Sequence, residues 1–452
     1  MPTAALPGRP PFVLRARVLS PLADGGWLDL ADGIVEVDPG GRIVSTGLAA
    51  DGSASLVARA IDVRPWVVLP GMVDLHAHLP QLPNAGLGFA LDLLTWLDRL
   101  TFPTERSWSD PAVAARLSPA IFRAFAAAGT TTVLAYGVVY EAAMDEAFRA
   151  AEAHGIRAIL GKVMMDRGTY DPIIEPSTIL ERSLRESADL ISRWHGADDG
   201  RLGYAVTPRF AVSCSAEMLR ESASLAHETG TWWQTHVSED PGEIAQVRRL
   251  FPESRDYVDV YDRAGGLGER TVLAHAIHLS DRELARLVET GTRVAHCPAS
   301  NLFIGAGVMP LARYLEAGLS VGLGSDVSGG PEASIFSVMR VGAYALMARR
   351  SLAGQEGVIL DPLDWLRMGT LAGAEALGLE ATIGSLEPGK EADLIAVDSS
   401  FAAALPGSPA DDDPRDLMSR LIFRAHPDMV QGAWVRGRRL DGPGGHGQAA
   451  AT

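Results

Sequence analysis

The stretch Val67-Val-Leu-Pro-Gly-Met-Val-Asp-Leu-His-Ala-His78 decides how this chain folds. An apolar run ends in two histidines spaced i, i+2. On a strand, those positions project to one face. Two imidazoles at a strand's C-terminal end can grip one divalent metal, and such a metal needs further ligands. The missing partners must come from downstream.

Downstream, strand-like apolar runs alternate with long helical stretches. The strands are Val67–Leu75, Thr131–Tyr136, Ala158–Met165, Gly203–Pro208, Trp232–His236, Thr271–His275, Thr292–Cys297 and Ser320–Ser325. Between them, Pro111–Ala128, Ser177–Trp194, Ser215–Thr229, Pro241–Leu250, Asp281–Thr290 and Pro310–Ala317 read as helices. Eight strand–helix units predict an α/β fold, a (β/α)8 TIM barrel. An open doubly wound sheet is the runner-up. It is disfavoured because no Gly-rich phosphate loop follows the first strand.

Both chain ends have β character. Phe12–Val18, Gly33–Val37 and Arg42–Thr46 read as strands separated by the turn signals Asp24-Gly-Gly and Asp38-Pro-Gly-Gly. After helices that run to Leu379, Ala392–Val397, Met429–Val435 and Gly437–Leu440 return to strand patterning. The expected organisation is a barrel over residues 67–378, inserted into a small composite β-sandwich formed by residues 1–66 and 379–440. Phe401–Asp416 reads as a loop, and the tail over residues 441–452 as disordered.

Composition narrows the class. The 452 residues are 47% hydrophobic and 21% charged, enough to bury a large core. A net charge of −16 argues against a nucleic acid or an anionic membrane as partner. No signal peptide is visible from Met1 to Val18, and no run has the length of a membrane span. Two cysteines, Cys214 and Cys297, make neither a disulfide framework nor a cysteine metal site, which fits a reducing, cytoplasmic setting.

Barrel active sites lie at the C-terminal ends of the strands. There the chain places His76 and His78 on strand one, His236 and Glu239 on strand five, His275 on strand six and Asp326 on strand eight. Histidines with one carboxylate suit zinc or ferrous iron. Each residue alone has a plain structural alternative: a core histidine, a helix N-cap at Asp326, a solvated glutamate at Glu239. Four strand ends aiming ionisable groups at one mouth favour the joint reading. His296 ends strand seven, where a supporting role and a core role weigh equally.

The chain resembles the amidohydrolase superfamily, in its single-metal deaminase branch, and within it the guanine deaminases. The similarity is carried by Pro70-Gly-Met-Val-Asp-Leu-His-Ala-His78, Gln81 with Asn84-Ala-Gly86, Leu93-Leu-Thr-Trp-Leu97 and Thr101-Phe-Pro103. It continues through Gly129-Thr-Thr-Thr132, Gly161-Lys-Val163, Thr207-Pro-Arg-Phe210, His236-Val-Ser-Glu239, Ala295-His-Cys-Pro298 with Ser300-Asn301, and Gly322 to Gly330. Departures are slight: Ser325 stands where threonine is usual and Asp240 where asparagine is common.

The resemblance implies one Zn2+ per chain, or Fe2+, held by His76, His78, His236 and Asp326. Two-metal relatives use a lysine at the end of strand four. Here that strand ends Val206-Thr-Pro-Arg-Phe210, and Lys162 lies on strand three. The resemblance implies Asp326 as proton acceptor, His275 as the group that orients the attacking water, and Glu239 as proton donor to the ring. It implies Gln81, Arg209 and Phe210 as substrate-binding residues, guanine as the substrate, xanthine and ammonia as products, and a homodimer. Rival readings are a deaminase of 8-oxoguanine, a pterin or an aminotriazine, an amide or chloride hydrolase on the same barrel, and an inactive scaffold.

Overall fold

The computed structural model describes residues 5–171, 178–352, 357–405, 407 and 412–440. The tail over 441–452 and residues 406 and 408–411 of the expected Phe401–Asp416 loop lie outside the described residues. The other parts of that segment include a 3-10 turn, Ser399–Ala402, and a helix that begins at Pro414.

Eight parallel strands run in chain order around a barrel. They are Met72–His78, Thr130–Tyr136, Arg157–Gly161 (continued by Val163–Met164), Leu202–Pro208, Trp232–Val237, Thr271–His275, Arg293–His296 and Val321–Leu323. Helices such as Pro111–Ala127, Glu141–His154, Ile179–Trp194 and Ala216–Thr229 lie between them. Val73, Leu75, Leu134, Ile159, Ala205, Val272 and Ala295 cluster as one apolar core. A second, larger core lies between strands and helices, with Phe122, Phe148, Leu219 and Tyr261 among its members.

First and last strands meet just beyond the regular ladder. The backbone N–H of Asp326 donates to the His76 carbonyl at 2.7 Å, and the N–H of His78 donates to the Val327 carbonyl at 2.9 Å. Buried Asp74 reinforces the seam: it accepts from the Ser325 N–H at 2.9 Å and the Ser325 hydroxyl at 2.5 Å. The residues that follow strand eight are thereby fixed to strand one.

The chain ends form one seven-stranded sheet. Its order is Arg438–Arg439, Val430–Val435, Leu394–Val397, Ile61–Pro70, Phe12–Pro21, Trp27–Val37 and Ile43–Leu48. The apolar run Val67–Leu75, which reads as one strand, is therefore two. Val67–Pro70 pairs with Leu394–Val397, and the barrel strand begins only at Met72. Gly71 makes the crossing: a Cβ there would sit 2.0 Å from the Thr131 hydroxyl. A buried ion cluster ties the sheet to the barrel floor. Arg157, at the start of strand three, donates to Asp393 at 3.0 Å and also pairs with Glu391.

Candidate metal and active site

Strand one carries His76 and His78 to the barrel mouth with their rings 5.0 Å apart, and a register irregularity lies between Asp74 and Ala77. His236, His275 and Asp326 converge on them from strands five, six and eight. One nitrogen from each of His76, His78 and His236 lies within 4.8 Å of the others, and the same holds for His76, His275 and a carboxylate oxygen of Asp326. All five side chains are buried.

The hydrogen-bond pattern fits a metal. His236 Nδ1 lies 2.7 Å from the Arg209 carbonyl, and His275 Nδ1 lies 2.9 Å from the Asn301 side-chain oxygen. A carbonyl only accepts, so each Nδ1 carries the proton and each Nε2 keeps a lone pair. His236 Nε2 then faces His78 Nε2 at 3.2 Å. Two lone pairs at that distance repel unless a proton or a cation lies between them. Burial holds His76 and His236 below the ordinary histidine pKa and lowers His275 to about 4, so these imidazoles are neutral ligand forms near pH 7. His76 Nε2 is buried and faces the Asp326 carboxylate at 3.1 Å. The donor set, three imidazoles and one carboxylate, suits a divalent metal of the zinc or iron type.

The two carboxylates differ in state. Asp326 Oδ1 lies 3.1 Å from His76 Nε2 and 3.3 Å from His78 Nε2, while Oδ2 lies 3.8 Å from His275 Nε2. Burial pushes the Asp326 pKa up, but the histidines around it outweigh that and hold it well below the usual range. Glu239 Oε2 lies 3.4 Å from His275 Nε2. Burial first, and the neighbouring Asp326 second, push the Glu239 pKa well above the usual range. The two carboxyl pKa values are thus pushed in opposite directions, 3.8 and 3.4 Å from a single nitrogen.

The backbone at the mouth is shaped for this. Ser238, His275, Ala276 and Asp326 take positive φ values of 47°, 72°, 50° and 48°. Non-glycine residues rarely adopt that region, and such strain concentrates at functional sites. The helix Pro241–Leu250 starts directly after Glu239 with a capping box: Asp240 accepts from the Glu243 N–H, and Glu243 accepts from the Asp240 N–H. The Glu243 carboxylate also accepts from the Glu239 N–H at 2.9 Å. That bond holds the strand-five loop in place.

A pocket opens beside these groups. Leu93, Trp96, Leu97, Phe210 and Ile304 supply its apolar walls, and His78, Arg209, His236, Glu239, His275 and Asp326 are its ionisable lining. Phe210 and Arg209 are thus at the cavity. Gln81 is buried but does not line it. It reaches Arg209 through Glu105, which accepts from Gln81 Nε2 at 2.7 Å and from Arg209 at 2.6 Å. Lys162 points away, 3.2 Å from Glu186 on the helix Ile179–Trp194. His296 is buried, with its pKa pushed down to about 3 by burial, and it belongs to neither ligand cluster.

Sequence reading missed Glu105, Asn301 and Asp74. Asp74 left a signal, an acid inside a buried apolar run. Asn301 lay in a matched segment without an evident role. Glu105 left none, because its partners are 24 and 104 residues distant.

Comparison with known proteins agrees with this geometry. The amidohydrolase family model matches residues 67–440. The chain is 40% identical to a probable guanine deaminase of Deinococcus radiodurans over 90% of this chain and 92% of that protein. It is 38% identical to the guanine deaminase of Escherichia coli over 75% of each. Among solved structures, guanine deaminase from C. acetobutylicum with bound guanine matches with a TM-score of 0.87 at 28% identity, covering 95% of this chain and 99% of that one. The chain belongs to the metal-dependent amidohydrolase family, among the guanine deaminases.

Proposed function

We propose that this chain hydrolyses guanine to xanthine and ammonia with one Zn2+ held by His76, His78, His236 and Asp326; Fe2+ shares the same ligand preferences. The observation that carries the reading is the approach of Glu239 and Asp326 to His275 beside a three-histidine cluster, with the two carboxyl pKa values pushed in opposite directions. The relatives' names supply the substrate.

When bound, the metal supplies the Lewis acidity that brings the pKa of an attacking water toward about 7. Asp326 accepts the water's proton through Oδ2, the oxygen nearer His275, while Oδ1 faces the histidine ligands. His275 orients the water, its ring fixed by Asn301. The water oxygen adds to C2 of guanine. Glu239, its pKa raised by burial, delivers a proton to ring nitrogen N3; the proton held by Asp326 then passes to the departing amine, and the C2 hydroxyl proton returns to Glu239. Arg209 offers a planar donor fork to a purine acceptor, Phe210 offers a ring face, and Gln81 completes recognition.

The proposed assembly is a homodimer, on family resemblance. The proposed location is cytoplasmic, on the acidic composition and the two free buried cysteines. Assaying ammonia release from guanine, 8-oxoguanine, a pterin and an aminotriazine tests the substrate. Guanine should have the highest kcat/KM, with xanthine as product. Preference for another of the four would move the assignment to that heterocycle.

A further inference from the structure

Glu105 is a carboxylate that contacts the pocket-lining Arg209 and takes no part in the metal and proton-transfer cluster. It is fully buried, and every side chain that hydrogen-bonds to it is a donor. One oxygen accepts from Gln81 Nε2 and the other from Arg209. The Arg209 guanidinium also rests over the Phe102 ring, its Cζ 5.2 Å from the centroid. Gln81 Oε1 is buried with no hydrogen-bond partner.

We propose that Glu105 is a positioning residue that sets the hydrogen-bond polarity of the substrate-reading groups, holding Gln81 with its acceptor free and Arg209 with donors free. The proposal rests on the proposed function, which makes Gln81 and Arg209 recognition residues. A carboxylate can only accept. Gln81 must therefore turn Nε2 toward it, since the flipped amide would put two acceptors face to face. Oε1 is left without a protein partner, and the recognition role proposed for Gln81 makes it the atom that would meet a ligand. Arg209 spends one edge on Glu105 and keeps other N–H groups for the pocket it lines. The pair thus offers an acceptor and donors together.

That pattern selects a heterocycle edge. A lactam edge, with a ring N–H beside a carbonyl, matches an acceptor and a donor. An amidine edge, with a bare ring nitrogen beside an amino group, mismatches both. Glu105 also neutralises Arg209, so the fork reads a neutral carbonyl instead of drawing in free anions.

The test uses two ligands whose binding needs no turnover. Hypoxanthine carries the lactam edge and adenine the amidine edge. Wild-type holoenzyme should bind hypoxanthine more tightly by calorimetry. Glu105→Gln, which keeps size but can donate as well as accept, frees the Gln81 amide to turn. The hypoxanthine-to-adenine affinity ratio should fall at least about tenfold, the scale of one misdirected buried hydrogen bond. Glu105→Asp, which keeps the acceptor-only character, should retain the sign of the preference. A purely structural role would weaken both ligands alike.

An unchanged ratio in a folded Glu105→Gln variant overturns the proposal, as does a wild-type enzyme with no preference. If that variant does not fold, a crystal structure of the wild type with hypoxanthine decides. Gln81 Oε1 facing the ligand N–H supports the proposal, and Gln81 Nε2 facing the ligand overturns it. Guanine turnover is measured in parallel. Its absence in the wild type, with the ratio still collapsing in the variant, refutes the proposed function and leaves the role of Glu105 standing.

Discussion

Glu239 and Asp326 approach the same atom, Nε2 of His275, at 3.4 and 3.8 Å, from the ends of strands five and eight. Like charges that close cannot both ionise freely. The histidines around Asp326 decide which acid keeps its proton. That leaves Glu239 as the proton donor in the proposed mechanism.

Glu239→Gln should therefore keep the metal and lose activity. The expected drop in kcat is about 10²–10⁴-fold, the usual worth of a positioned general acid. Steady-state kinetics with metal analysis on the same sample checks it. Near-normal turnover would remove Glu239 from the mechanism.

Removing the metal should cost stability as well as activity. Three buried imidazoles and the Asp326 carboxylate crowd their ligand atoms together at one point. A ligand present at 100 times its Kd stabilises the fold by about 2.7 kcal/mol. Chelator-treated protein should melt lower, and added Zn2+ should raise Tm in a concentration-dependent way. His236→Ala should abolish that dependence.

Much of this was legible in the sequence. Side-chain parity on a strand was enough to pair His76 with His78, and strand ends located His236, His275 and Asp326. The barrel followed from the strand–helix alternation. What hydropathy could not register was the break at Gly71, because apolar residues continue on both sides of it while Val67–Pro70 and Met72–Leu75 belong to different sheets. The Glu105 bridge was equally hidden. It lies on a short helical turn after the π-helical segment Leu97–Thr101, and only tertiary folding brings Gln81 and Arg209 to it.

Arg209 illustrates the consequence. Read as a recognition residue alone, Arg209→Ala should chiefly raise KM. The buried partner adds a folding cost. Breaking one side of a buried ion pair costs roughly 3–5 kcal/mol, because the other charge is left uncompensated. Denaturant unfolding should show that loss alongside the higher KM. An unchanged stability would mean that Glu105 finds compensation elsewhere.

Glu243 gives a pH signature. Burial raises its pKa to about 7, against an ordinary value of about 4.3. The folded state thus binds more protons than the unfolded state between those limits. The stabilisation from protonated Glu243 is full below about pH 4.3 and is lost as pH rises through about 7, on the order of 3 kcal/mol in all. Glu243→Gln removes this dependence. The stability difference, wild type minus variant, should shrink as pH rises from about 4.5 to 7 and then level off. A pH-independent difference would show that Glu243 titrates normally.

Guanine turnover by metal-stripped enzyme titrated with Zn2+ tests the central claim most directly. The account predicts xanthine and ammonia in equal amounts, with activity rising linearly and saturating at one Zn2+ per chain. Fully metal-loaded protein that releases no xanthine from guanine would contradict it, as would activity that needs a second equivalent.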